Sequence, residues 1–345
     1  MIIKLSALGD IVQALPVLHC LKKTWNSCSI DWITGEVGAQ LLEGHPLLDR
    51  VIVYPRKRLG QLASSPFRWH RLACELWYLA RKLRKGRYDI ALDIQGLFKS
   101  GLITFLSGAQ DKIGFARGRE GSSLFLNRKL PRYDPDTHAV LRYLSVVKYL
   151  GADTSDLDFP LGLRETDFRE ARELLGSLGL KPGRFVILIP GTVWPSKHWS
   201  TEGFSGLARL LQERHDLTSL VAGAASDAAL GRAIREGSGG AARDITGRTS
   251  LKVFAALSNM AVTAVTTDTG PMHLAAAAGL RVVALFGPTS PERTGPFGTG
   301  HVVLSRKMQC RPCFKRHCGS RECMLSITPG EVLEAVEGNM FARVN

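Results

Sequence analysis

The chain has 345 residues, of which 45 are Lys or Arg and 31 are Asp or Glu, giving a formal net charge of +14. This length suits two domains, and 45% hydrophobic with 22% charged residues is an ordinary globular composition. The seven cysteines do not form the framework of a small secreted domain, and Lys4 and Asp10 interrupt the apolar N-terminus, unlike a secretory signal. The charge predicts an anionic partner: nucleic acid, an acidic membrane surface or a phosphorylated substrate.

Short apolar runs alternate with helical patterns through the first half of the chain. Strands are predicted at residues 1–5, 29–34, 51–54 and 89–93. Helices are predicted at residues 11–18, 38–42 and 69–85. Such alternation indicates a parallel sheet with crossover helices.

A basic segment lies within this half. Residues 50–87 contain eleven Lys or Arg and one acid, Glu75, with aromatic residues interleaved, among them Phe67, Trp69 and Trp77. The mixture suits an amphipathic segment near a lipid surface, a solvated helix face or a nucleic-acid contact.

The alternation restarts after a linker predicted at residues 151–163. Strands are predicted at residues 185–189, 218–221, 262–267 and 282–286. Helices are predicted at residues 168–178, 204–214, 225–235 and 270–279, and a capping box at residues 328–331 opens a final helix. The pattern predicts two doubly wound α/β domains, residues 1–160 and 161–345, facing a cleft where ligands bind at the carboxyl ends of strands.

Asp10 is the first candidate for chemistry. It follows the first strand and a tight turn that we attribute to Gly9, and it stands near a helix N-terminus. A carboxylate there either caps the helix or, facing a cleft, acts as a general base.

The sequence Thr267-Asp268-Thr269-Gly270-Pro271-Met272-His273 marks a second strand end, followed directly by a helix. Free N–H groups and the positive end of the dipole make a helix N-terminus a natural diphosphate site. An ordinary helix cap without a ligand is the alternative. Thr192 and Lys197 lie in a further loop after a strand, and Lys197 is placed to neutralise a phosphate or is a surface lysine.

Four cysteines crowd together near the end of the chain, at Cys310, Cys313, Cys318 and Cys323. The spacing is compatible with a structural zinc knuckle, although the second CxxC pair is missing. Reduced thiols without a metal explain the cluster equally well.

Taken together, the motifs resemble the ADP-heptose:lipopolysaccharide heptosyltransferases, and the similarity extends over nearly the whole chain. Five elements occur in that family's order: residues 4–10, 93–97, 197–199, 267–273 and 286–289. The resemblance implies a GT-B fold of two Rossmann-like domains, and inverting transfer of heptose from ADP-heptose to the inner-core Kdo of lipid A with no cofactor or metal required.

The resemblance also implies roles for individual residues. Asp10 would be the catalytic base, and Lys197 would stabilise charge on the departing ADP. The remaining residues would bind substrates: the nucleotide sugar by Thr192, Asp227, Asp268, Thr269, Gly270 and His273, and the acceptor by Gly9, Gln95 and Lys99. We expect a cytoplasmic monomer, peripheral at the inner face of the inner membrane, with no nucleic-acid partner.

Within the class, the first half of the chain resembles first-heptose enzymes, whereas the cysteine-rich segment is commoner in second-heptose and related enzymes. Outside the class, a basic nucleic-acid-binding module with a zinc knuckle and a nucleotide sensor without catalysis stay open. A Rossmann dehydrogenase is disfavoured because the chain lacks the GxGxxG fingerprint.

Overall fold

The computed structural model describes residues 1–131 and 133–341 of the protein. The chain divides into unit 1, Met1–Gly162, and unit 2, Leu163–Asn345. The border lies two residues beyond the expected one. Among the described residues, no helix is both long and apolar enough to span a membrane.

Unit 1 is built on a six-stranded parallel sheet. Its strands are β1 (Ile2–Ile3), β2 (Asp31–Thr34), β3 (Arg50–Val53), β4 (Ile90–Asp93), β5 (Asp111–Phe115) and β6 (Arg128–Leu130). Their order is β3-β2-β1-β4-β5-β6. Its α-helices are α1 (Leu8–Gln13), α2 (Leu15–Thr24), α3 (Glu36–Leu42), α4 (Arg56–Ala63), α5 (Trp69–Arg84), α6 (Phe98–Leu106) and α7 (Ala139–Tyr149).

The central strands of unit 1 are apolar because both of their faces are covered. Ile3 pairs in register with Ile33 on one side and with Asp93 on the other. Ile3, Ile33 and Trp32 are completely buried. Parallel strands covered on both faces read as continuous apolar runs rather than as alternating patterns.

The helix predicted at residues 11–18 is in fact two helices, α1 and α2, which meet at Ala14. Pro16 stands in the first turn of α2, where its missing N–H would have had no helical partner. The expected role of Gly9 in the turn is wrong, because Gly9 is a buried helical residue of α1.

Unit 2 is also built on a six-stranded parallel sheet. Its strands are β7 (Phe185–Ile189), β8 (Thr218–Val221), β9 (Ala242–Asp244), β10 (Ala264–Thr267), β11 (Val282–Phe286) and β12 (Val302–Ser305). Their order is β12-β11-β10-β7-β8-β9, again all parallel. Its α-helices are α8 (Glu165–Ser177), α9 (Thr201–His215), α10 (Ala228–Gly237), α11 (Leu251–Met260), α12 (Gly270–Ala277), α13 (Pro291–Thr294), α14 (Glu322–Leu325) and α15 (Pro329–Phe341).

Helices α9 and α15 share the core of unit 2. Phe204 and Leu211 of α9 and Leu333 and Val336 of α15 are at most 1% exposed and belong to one apolar cluster. Full burial of each such side chain contributes about 1.5–3 kcal/mol. The predicted helix at residues 225–235 begins instead with a 3₁₀ turn, Ala225–Asp227, and continues as α10.

Both sheets have the Rossmann strand order, with β7 taking the place of β1 in unit 2. The order reverses between β1 and β4 in unit 1 and between β7 and β10 in unit 2. In open α/β sheets, ligands bind beyond the carboxyl ends of the strands at such switch points. Each unit therefore has one expected ligand position, fixed by its topology.

Candidate active site

The loops after β1 and β4 meet at the switch point of unit 1, and Asp10 lies at this place. Its Oδ2 accepts the backbone N–H of Ala7 at 3.1 Å, so this carboxylate does cap the start of α1. Its other oxygen, Oδ1, is bound by side chains from outside the helix. Because 39% of the side chain is still exposed, Asp10 can also contact a ligand.

Tyr143 and Lys4 support the Asp10 carboxylate from beneath. The Tyr143 hydroxyl donates to Oδ1 of Asp10 at 2.6 Å, and Lys4 Nζ donates to the Tyr143 oxygen at 2.8 Å. Lys4 Nζ also lies 3.5 Å from Oδ1 of Asp10. Lys4 and Tyr143 are both buried, so the groups that contact the Asp10 carboxylate are held in place by the surrounding core.

Burial dominates the ionisation of these two supporting groups. It lowers the pKa of Lys4, against the attraction of Asp10, and it raises the pKa of Tyr143 well above its ordinary value. Tyr143 therefore keeps its proton and remains a donor to Asp10. The hydrogen bond from Tyr143 and the nearby Lys4 ammonium group hold Oδ1 of Asp10 in place.

Gln95 joins the two loops of this switch point. Its side-chain carbonyl accepts the N–H groups of Leu5 at 3.0 Å and of Ser6 at 3.2 Å. Asp93, at the end of β4, in turn accepts the N–H of Gln95 at 3.0 Å. Gln95 thus shapes the loop that leads to Asp10, while Lys99 is exposed on α6.

The switch point of unit 2 holds an ion pair. Lys197, in the loop after β7, places Nζ 2.6 Å from Oδ2 of Asp268, which follows β10. Thr289, in the loop after β11, donates its hydroxyl to the same oxygen at 2.7 Å. Asp268 is 7% exposed and Thr289 is 5% exposed, so three loops converge on one buried carboxylate.

Thr192 and His198 belong to the same loop as Lys197. Thr192 Oγ1 lies 3.4 Å from the backbone oxygen of Asp268, and His198 Nε2 lies 3.1 Å from the backbone oxygen of Thr192. Burial lowers the pKa of His198. His198 is therefore neutral near pH 7 and adds no charge to the pair formed by Lys197.

Asp227 lies where the loops after β7 and β8 pass close together. A methyl group added to Gly191 would come within 2.5 Å of Asp227 Oδ2, and one added to Gly223 within 2.7 Å of it. Oδ2 also accepts the N–H of Ala224 at 2.9 Å. The carboxylate is consequently packed against the strand ends next to the switch point.

The start of α12 completes the unit 2 site. Thr269 caps this helix with extended backbone and no side-chain hydrogen bond, and Gly270 is its first residue. His273 lies one turn further along and is 7% exposed. The first turn of a helix has N–H groups without helical partners, and these favour an anion.

The cysteine cluster does not form a metal site in the described part of the chain. No group of three or more His, Cys, Asp or Glu side chains there has an arrangement that could hold a metal ion. The four thiols are free, with Cys310 and Cys318 exposed. Burial raises the pKa of Cys323, against the opposing effect of the Arg311 charge.

Sequence reasoning did not predict Tyr143 or Thr289 as site residues, although each binds a predicted one. Tyr143 is 133 residues from Asp10, and nothing in its helix distinguishes it from a core aromatic residue. Thr289 ends the element at residues 286–289, where Gly287 and Pro288 follow a strand, and this position could have marked it. Lys4 had a clearer signal, because it is a charged residue inside the apolar run of residues 1–5.

Two Rossmann-ordered units, each with polar groups gathered at its switch point, define a two-domain α/β enzyme of the GT-B class. The family model described as glycosyltransferase family 9 (heptosyltransferase) matches residues 76–323. The chain is 32% identical to lipopolysaccharide heptosyltransferase 1 of Pseudomonas aeruginosa over 326 residues, which are 92% of this chain and 86% of that protein.

Solved structures agree with this assignment. The E. coli heptosyltransferase WaaC with ADP aligns with a TM-score of 0.78 and 26% identity over 98% of each chain. A family 9 glycosyltransferase from Veillonella parvula has the same fold, with a TM-score of 0.84 and 24% identity over 99% of this chain and 96% of that one. The chain belongs to glycosyltransferase family 9, the heptosyltransferases, which confirms the expected GT-B fold and glycosyltransferase class.

Proposed function

We propose that this enzyme is a heptosyltransferase I, which transfers heptose from ADP-heptose to the Kdo inner core of lipid A with inversion at the anomeric carbon. The observation that carries the proposal is the supported, partly exposed Asp10 carboxylate at the switch point of unit 1. The similarity to a heptosyltransferase 1 supports the first-heptose acceptor. The ADP in the related E. coli structure supports the donor.

In the proposed reaction, Asp10 takes the proton of an acceptor hydroxyl. The hydroxyl oxygen forms a bond to the anomeric carbon of the heptose, and the bond from that carbon to the phosphate oxygen of ADP breaks. The electron pair of the broken bond goes to ADP. General-base catalysis of this kind contributes about 10²–10⁴-fold.

Unit 2 supplies the groups that stabilise the departing ADP. Lys197 and the N–H groups of Thr269 and Gly270 would bind the diphosphate, because they combine a positive charge with free helix donors. Asp268 would bind a heptose hydroxyl, since a carboxylate repels phosphate. Thr192 and His273 would lie beside the diphosphate, and Asp227 beside the ribose.

The acceptor would bind through unit 1. Gln95 and Lys99 lie near the loops of the Asp10 switch point, and Gly9 is a buried residue of α1 next to Asp10. The exposed basic residues of α4 and α5 suit the anionic lipid A headgroup and the inner face of the inner membrane. The reaction requires no cofactor, and the enzyme acts as a monomer.

Acceptor-dependent ADP release tests the proposal. Purified enzyme is incubated with ADP-heptose and Kdo2-lipid A, and ADP release is followed for the wild type, Asp10→Asn and the control Asp156→Asn, an exposed loop carboxylate. We expect Asp10→Asn to lose about 10²–10⁴-fold in kcat and Asp156→Asn to lose none.

The same assay separates the alternatives. Release only with an acceptor that already carries heptose would move the assignment to heptosyltransferase II, which the cysteine-rich segment favours. ADP release that needs acceptor but is unchanged in Asp10→Asn would keep the enzyme class and refute the role of Asp10. A wild type that neither binds ADP nor releases it would refute the donor.

A further inference from the structure

The cysteine-rich segment, residues 310–323, contacts two of the three loops that meet at Asp268. It follows β12 and carries no residue of the Lys197, Asp268 and Thr289 cluster. Its contacts nevertheless lie next to Lys197 on one side and next to Thr289 on the other.

The contact with the Lys197 loop runs through Ser196, which precedes Lys197 and is 1% exposed. The Ser196 hydroxyl donates to the backbone oxygen of Lys315 at 2.6 Å, and the Ser196 N–H donates to that of Arg316 at 3.2 Å. The Arg316 guanidinium lies 5.4 Å from the ring centre of Trp194. Lys197 Nζ lies 4.5 Å from the same ring. The segment therefore contacts both neighbours of the lysine, Ser196 in the chain and the Trp194 ring in space.

The contact with the Thr289 loop runs through Arg311 and Phe314. The Phe314 N–H donates to the backbone oxygen of Pro288 at 2.9 Å. The Arg311 guanidinium donates to the backbone oxygens of Gly287 and Arg306. Its Nη2 lies 3.5 Å from the backbone oxygen of Thr289. A planar guanidinium with five donors is suited to hold several carbonyl groups at once.

We propose that the cysteine-rich segment is a positioning element that fixes Lys197 and Thr289 around Asp268, through Ser196 of the Lys197 loop and through its own Arg311. Lys197 and Thr289 bind the same oxygen of Asp268, so a shift of either loop weakens the hydrogen bond that this loop makes to the carboxylate. The proposal rests on the proposed function, in which Lys197 acts on the diphosphate. Small misplacements of such groups reduce rate far more than they reduce stability.

Double-mutant cycles separate positioning from a general structural role. Ser196→Ala is measured in the wild type and in Lys197→Ala, and Arg311→Ala in the wild type and in Thr289→Val. We expect each positioning variant to lose about ten-fold in kcat alone and less than about two-fold when its target is already removed. Ser320→Ala, an exposed hydroxyl of the same segment near Cys318, is the matched control and should lose nothing.

The cycle with Ser196 and Lys197 is also measured on ADP affinity by calorimetry, which needs neither sugar nor acceptor. A wild type without transfer activity would refute the proposed function, while a non-additive loss of ADP affinity would still support positioning. Equal losses in both backgrounds would overturn the inference, as would unchanged kinetics with a lowered Tm. Ser196→Thr, which keeps the hydroxyl, should recover most of the activity that Ser196→Ala loses.

Discussion

At the scale of residues, Tyr143 is the group that joins a buried lysine to an exposed carboxylate. Lys4 is 2% exposed, and its ammonium group donates to the Tyr143 oxygen. A buried charge left without its partner costs more than the hydrogen bond itself contributes. The tyrosine hydroxyl therefore affects both stability and the orientation of Asp10.

Tyr143→Phe should lower the free energy of unfolding by about 1–3 kcal/mol, because it leaves a buried donor without its acceptor. It should also lower kcat by roughly ten-fold through loss of the hydrogen bond that orients Asp10. Urea denaturation and ADP release measure the two effects. Tyr149→Phe, on the exposed side of the same helix, should change unfolding by less than about 0.5 kcal/mol.

If Tyr143→Phe and Tyr149→Phe behaved alike in both measurements, the link between Lys4 and Asp10 would have no energetic role.

The sequence could point to Asp10, Lys197 and Asp268 because each follows a short apolar run at the end of a strand. It could not show which of these residues contact each other. Lys197 and Asp268 are 71 residues apart, and only the strand order brings their loops together.

At the scale of elements, the capping box of α15 joins the start of this helix to Arg306, which follows β12. The Thr328 N–H donates to Oε2 of Glu331 at 2.8 Å, and Arg306 Nη2 donates to the same oxygen at 2.6 Å. The hydrogen bond from Arg306 is the main cause that lowers the pKa of Glu331 from 4.5 to about 2. Helix α15 contributes Val332 and Val336 to the core of unit 2, so its start affects packing there.

Glu331→Gln keeps a capping-box acceptor but removes the charge paired with Arg306, and it should destabilise the protein by about 0.2–1 kcal/mol at pH 7, the usual range for an exposed ion pair. Because the folded pKa is depressed, the stabilisation by Glu331 is complete above about pH 5 and is lost as the pH falls toward 2. The difference between wild type and variant should therefore shrink over this range. Thermal unfolding from pH 7 to pH 2 measures it, with the exposed Glu334→Gln as control.

A constant difference between wild type and Glu331→Gln down to pH 2 would contradict this assignment. The capping box itself is visible in the sequence because Thr328 and Glu331 are only three positions apart. Strands β6 and β9 are not, because each has only three residues and includes charged side chains on partly exposed positions. Pairing with a longer neighbour makes these segments strands, and that neighbour is set by topology.

At the scale of the whole molecule, the predicted donor residues all lie in unit 2, which has its own sheet and apolar cluster. Residues 163–345 expressed alone should fold and bind ADP within a few-fold of the affinity of the full chain. Calorimetry measures the affinity, and circular dichroism checks the fold. A folded unit 2 that does not bind ADP would show that unit 1 supplies part of the nucleotide site.

Unit 1 has a surface that is both basic and aromatic, formed by α4, α5 and the turn between them. Phe67 is 91% exposed, and Trp69 and Trp77 are 60% and 63% exposed. We predict binding to vesicles of anionic phospholipid that weakens between 0.1 and 1 M salt, because the Debye length falls from about 10 to 3 Å. Cosedimentation should show a loss in Trp69→Ala but none in the control Trp25→Ala, and equal behaviour of the two would refute this surface.

If Lys197 binds a diphosphate as proposed, its pairing with Asp268 affects which anions bind in unit 2. Inorganic phosphate gains little from a lysine that already has a carboxylate 2.6 Å away, and that carboxylate repels it. A ligand with both a phosphate and a sugar hydroxyl can satisfy the lysine with one group and the carboxylate with the other. Under the proposed function, the ion pair favours such a ligand over inorganic phosphate.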